Sequence, residues 1–218
     1  MAPKAADTTG LKRFQALWQR NLLDGASDDS TTIYQRLLAG YGEPNRHYHT
    51  LEHIQHCIGM FDDCKQLISE PDALELAIWF HDVILVAGRP DNEAMSAKLY
   101  LEISAAVHRD EMRQLIARLI MATLHNGDQL DDADSIYMVD IDLSSFGLPW
   151  DYFLRDSLNL RAENPQLDDE DYQLNQTGFQ RGLLARPRFF LSDYFHDRYE
   201  QQARDNLADY FEYLRNSA

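Results

Sequence analysis

Residues 71–85, PDALELAIWFHDVIL, decide how the chain folds. Proline at position 71 suits the first turn of a helix, where a missing N–H costs nothing. Behind it Ala73, Leu74, Leu76, Ala77, Ile78, Trp79 and Phe80 leave almost no polar face, so this helix is expected at the centre of the fold. His81 and Asp82 follow at the end of the apolar run. A carboxylate in such surroundings needs a partner, because burying it unpaired is costly. A divalent cation would serve, and so would an imidazole or an arginine such as Arg46 or Arg89.

Working outward, helical periodicity dominates on both sides. Leu11, Phe14, Leu17, Trp18 and Leu22 share one stripe, and 31–41 repeats the pattern up to Gly40 and Gly42, which suit a C-terminal cap. A helix is predicted from about Thr50 to Ile68, with Leu51, Ile54, Ile58 and Phe61 inward. Asp91 reads as the N-cap of the next helix, and a further one ends at Asn126-Gly127. The apolar segment 136–148 follows. Helices over roughly 150–163, 169–186 and 192–215 complete the chain, with Pro187 dividing the last two. Without repeats, linkers or a strand ladder, 1–218 reads as one all-α domain.

The chain has 218 residues, enough for a substantial core, and is 44% hydrophobic, 11% aromatic and 26% charged. Its formal net charge of −16 repels nucleic acid and anionic membranes, so neither a nucleic-acid duplex nor a membrane is an expected partner. An anionic substrate would need a local positive centre. The opening residues, MAPKAADTTG, lack the apolar run of a signal peptide, and no stretch approaches ~18 uninterrupted apolar residues. A cytoplasmic protein is expected. Cys57 and Cys64 lie two helical turns, about 10 Å, apart, too far for a disulfide. The acidic surface neither requires nor excludes a homodimer.

Four of the eight histidines fall in RHYHTLEHIQH, residues 46–56. At about 100° per residue, His49, His53 and His56 share a narrow arc and His47 points elsewhere. Histidines at i and i+4 can address one metal or one substrate, although a polar helix face would look the same. Asp140 and Asp142 sit in MVDIDLSSFG, residues 138–147. On a helix they diverge by about 200°, so at most one faces a given site; on an extended segment both could. Two imidazoles and two carboxylates form a mixed N/O set suited to Mn, Mg, Ni, Co, Fe or Zn.

In the order RHYHTLEHI, WFHDVI, DNEAMSA, the TLH of MATLH, and DIDLSSFG, these pieces resemble the HD-domain superfamily of metal-dependent phosphohydrolases. They are most similar to its predicted metal-dependent HD phosphohydrolase group. RPRFFLSDYF and EQQARDNL extend the likeness over nearly the whole chain. The resemblance implies an HD-type helical bundle with additional C-terminal helices and a divalent metal ion held by His53, His81, Asp82 and Asp142. Asp142 is preferred because the family aspartate precedes a Leu or another apolar residue. Asp140 is left to support a ligand from behind or through a water. YHTLEH also resembles the YHNxxH signature of cyclic-nucleotide phosphodiesterases, with Thr50 in place of Asn, which makes His49 the candidate general acid. By the same resemblance Glu93 would orient or deprotonate the attacking water, and Asn92 and His125 would contact substrate. Arg46 is expected to clamp phosphate, since guanidinium binds its oxygens bidentately.

The expected activity is therefore metal-dependent hydrolysis of a nucleotide or other small phosphate ester by metal-activated water. Two other readings stand beside it. One is an HD-type di-iron oxygenase, for which His49 and His125 would be extra ligands. The other is a non-catalytic ligand-binding protein that keeps its metal as a clamp.

Overall fold

The apolar run opens as a helix on Pro71, and in the computed structural model every residue from Ala73 to Phe80 is buried. The structure describes residues 8–125, 130 and 132–217. Among these the chain forms ten α-helices and two short 3-10 turns, with no strand. In order they are α1 (Thr8–Gln19), α2 (Ser30–Tyr41), α3 (Leu51–Cys64), α4 (Pro71–Phe80), α5 (Asn92–Ile103), α6 (Asp110–Ala122), α7 (Ala133–Asp142), α8 (Trp150–Ala162), α9 (Asp169–Leu184) and α10 (Asp193–Ser217). The class is all-α, as the periodicity indicates.

α4 is central because it has no face that could meet water. It packs on α3, α5, α6 and α7, and Trp79 and Phe80 meet Phe14 of α1 at ring distances of 5.7 and 6.3 Å. Glu75, the buried acid of α4, is neutralised by Arg13 Nε at 2.6 Å. One connected core runs from Phe14 in α1 to Tyr210 in α10.

Several boundaries differ from the sequence reading, each for a local reason. α3 stops at Cys64 and tightens into a 3-10 turn at Lys65–Leu67. Gly42 does cap α2, but at φ −98°, with its N–H donating to Leu38 O rather than through a left-handed turn. Gly40 instead marks a close approach: a Cβ there would meet Val83 O at 2.8 Å. Asp91 precedes α5 without capping it, because its carboxylate binds Arg89 at 2.8 and 2.6 Å. α6 ends at Ala122; the expected stop at Asn126-Gly127 lies outside the described residues.

The C-terminal helices hold the turn that follows the DID segment. α7 ends at Asp142 and passes into a 3-10 turn, Leu143–Gly147, on which α8 and α10 pack. Asn206 of α10 donates to Phe146 O and Leu148 O at 2.8 and 2.7 Å. A Cβ on Gly147 would stand 2.6 Å from Tyr199 Cβ, so only glycine admits α10 this closely.

Candidate metal centre

Three helix termini converge on one point. Thr50 begins α3, its hydroxyl accepting the Glu52 N–H at 3.3 Å, and this sets His53 in the first turn. His81 and Asp82 follow the last turn of α4, and Asp142 is the last residue of α7. His53 Nε2 lies 3.3 Å from His81 Nε2, 3.5 Å from Asp82 Oδ2 and 3.2 Å from Asp142 Oδ1. His81 Nε2 lies 2.9 Å from Asp82 Oδ2 and 3.4 Å from Asp142 Oδ1. Ligand atoms about 2.1 Å from one ion and about 90–110° apart stand about 3.0–3.4 Å from each other. The spacing therefore fits one ion, and these four residues form a group that could hold it.

The imidazoles are prepared for that role. His81 Nδ1 lies 2.9 Å from Ile78 O, one of the carbonyls a helix end leaves unpaired. That carbonyl can only accept, so Nδ1 carries a proton and Nε2 is the nitrogen turned to the cluster. Burial opposes charge on Asp82 and Asp142, yet the surrounding imidazoles outweigh it and hold both carboxyls below their usual range. Burial likewise disfavours a charged His81, and the two carboxylates overcome it, lifting His81 well above the ordinary histidine value. The cluster attracts positive charge, by imidazole protons or by a cation.

No protein-family model, curated protein or solved structure matches the chain.

His49 stands beside the four ligands, its Nε2 3.9 Å from Asp82 Oδ2 and its Nδ1 2.6 Å from Glu163 Oε2. Burial lowers its pKa, but the Asp82 charge and the Glu163 hydrogen bond raise it further, so the net shift is upward. Glu163 was not legible as a site residue. Its Oε1 also accepts the N–H groups of His47, Tyr48 and His49 at 2.7, 2.8 and 2.9 Å. One carboxylate thus shapes the loop and holds the imidazole. The available signal was an acid at the C-terminal end of α8, where the helix dipole disfavours it.

The remaining candidates divide. His125 Nε2 lies 2.8 Å from Asp142 Oδ2, and the residue adopts a left-handed φ of 50° to bring it there. That places His125 against a ligand of the cluster. Glu93 is half-buried at the start of α5; burial, then the charges of Asp82 and Asp142, raise its pKa. Asp140 faces away, as helical geometry requires of one of the pair. It accepts the N–H groups of Leu191 and Ser192 at 2.8 and 2.7 Å, and burial raises its pKa to about 6. It anchors the approach to α10 rather than supporting a ligand.

Two expectations are corrected. Arg46 is no phosphate clamp: its side chain is fully buried and donates to Asp82 O, Val83 O and His49 O at 2.6, 2.9 and 3.2 Å. Its Nε is taken by Glu43 at 3.1 Å. Arg46 locks the backbone that carries Asp82. Asn92 is likewise engaged, binding Val86 N–H through Oδ1 and the Val86 and Arg89 carbonyls through Nδ2. It fastens the loop after the HD turn. His47 is exposed, and His56 Nε2 meets Ser144 Oγ at 2.8 Å. Both cysteines are buried and free.

Proposed function

We propose that the chain is a metal-dependent phosphohydrolase acting on a small phosphate ester. The observation that carries this reading is the single-ion spacing of His53, His81, Asp82 and Asp142 beside a glutamate-held His49. His53, His81, Asp82 and Asp142 would hold a divalent ion, which when bound would acidify a water and neutralise phosphoryl oxygens. Its charge would also offset, locally, the net charge of −16 that repels an anionic substrate.

The chain's own groups supply the proton transfers. With Nδ1–H on Glu163, His49 keeps Nε2 on the cluster side, where its proton can pass to a departing alkoxide. The charge of Asp82 and the hydrogen bond to Glu163 raise the His49 pKa and so favour the protonated form. Glu93, also raised, is a stronger base than an ordinary carboxylate toward an attacking water.

The test is hydrolysis by purified protein over a panel of nucleotides and a generic phosphodiester. Mn²⁺, Mg²⁺, Ni²⁺, Co²⁺ and Fe²⁺ are added in turn, with Asp82→Ala as control. Turnover that requires metal and vanishes in the variant is expected. Metal bound without turnover on any ester overturns the reading.

One observation favours a second reading. His125 on Asp142 adds a fifth side chain of ligating type, as a di-iron oxygenase would require. Two irons per chain with an O₂-dependent spectrum would carry it.

A further inference from the structure

A cavity of about 270 Å³ is lined by the start of α3, His53 included, and by one face of α8. Tyr152, Arg155, Asp156 and Asn159 line it from α8 at positions i, i+3, i+4 and i+7, the spacing of a single helical face. His53 belongs both to this wall and to the ligand cluster, so whatever fills the cavity abuts the candidate metal centre.

The cavity is built against anions. Arg155 is its only lysine or arginine, and that charge is already used. Its Nε and Nη2 donate to Asp156 Oδ1 at 2.9 and 2.8 Å, and its Nη1 lies 3.0 Å from Glu52 Oε1. One arginine against two carboxylates leaves the walls net negative, and a phosphate or carboxylate there would be repelled.

What the walls offer instead is hydrogen bonding and flat apolar surface. Ser145, whose hydroxyl meets Tyr48 OH at 2.9 Å, lines it together with Asn159, whose amide can both donate and accept. Ser144 Oγ donates to Ile141 O at 2.6 Å and so accepts from His56 Nε2, which leaves His56 Nδ1 as an acceptor. Tyr152, Leu148 and Pro149 supply the apolar surface. The volume falls just below the ~300–1,000 Å³ of sites for drug-sized ligands, so the occupant is no larger than a nucleoside.

We infer that the cavity binds the organic portion of the substrate, and that this portion is an uncharged, hydrogen-bonding ring of nucleoside or sugar size. The inference rests on the hydrolase reading only in taking that ring to be part of a substrate; the cavity's preference for uncharged rings stands on its walls.

The test is calorimetric titration of metal-free, full-length protein with adenosine, cytidine, glucose and inorganic phosphate. At least one uncharged probe is expected to bind. Asn159→Leu and Tyr152→Ala, both at solvent-accessible positions of α8, should each weaken it about five- to tenfold, the cost of one lost contact. Binding by nucleosides alone or by glucose alone supports the inference and names the source of the ring. No binding by any uncharged probe, or binding that both variants leave untouched, overturns it. Inorganic phosphate displacing the bound ring from the cavity also overturns it. Uncharged binding without turnover of the matching phosphate ester would sink the hydrolase reading alone. Turnover without such binding would sink this inference alone.

Discussion

Glu163 shows what one carboxylate can do when four donors converge on it. It closes the 47–49 loop and fixes which nitrogen of His49 carries the shared proton. Glu163→Gln keeps an oxygen for the backbone but removes the charge that helps to raise the His49 pKa. For the proposed hydrolysis, kcat should fall at least about tenfold with KM little changed, because the loss is felt at proton transfer. A raised pKa keeps the acid form to higher pH, so losing the charge moves the basic limb of the kcat profile to lower pH. An unshifted limb would mean that His49 is not the acid. His81 and Asp82 stand out in the sequence as polar residues closing an apolar run, whereas the choice of His53 among the clustered histidines and of Asp142 over Asp140 needed the resemblance. The helix then separates the two aspartates by orientation. Glu163 was unreadable because its partners lie 114 to 116 positions away.

At the scale of elements, the turn after α4 depends on a residue assigned to substrate by the sequence. Arg46 satisfies the carbonyls of Asp82 and Val83, and Gly40 lets α2 lie against the same turn. Arg46→Met should cost about 3 kcal/mol in denaturant unfolding, since it strands buried carbonyl oxygens. Arg46→Lys should recover little, because an ammonium lacks the planar fork that spans them. Unchanged unfolding together with weakened phosphate inhibition would restore the clamp role. The helices themselves were legible because apolar residues recur at their period, and α4 most of all. Their ends were less so: Asp91 and Asn92 look free in sequence and are engaged by residues two to six positions away, and Arg46 by carbonyls 36 and 37 positions away.

Across the whole molecule, a buried histidine far from the centre also shapes pH dependence. His108 packs on Trp18 at a ring distance of 4.2 Å and meets Tyr100 OH at 2.9 Å. Burial brings its pKa down to about 4 from an ordinary 6.5. Above 6.5 the ring is neutral folded or unfolded; between 6.5 and about 4 only the unfolded chain takes the proton. Stability should therefore fall as pH drops through this window, and less steeply in His108→Phe. Parallel curves for the two proteins would contradict the assignment. No helix among the described residues is long and apolar enough to cross a membrane. The proposed ion would sit where α3 begins and α4 and α7 end. The most direct measurement is metal content after equilibrium dialysis against Mn²⁺ or Ni²⁺, for wild type and Asp142→Ala side by side. The expected result is one ion retained per wild-type chain and none by a still-folded Asp142→Ala. Wild type that retains no ion, or a variant that retains as much, would contradict it.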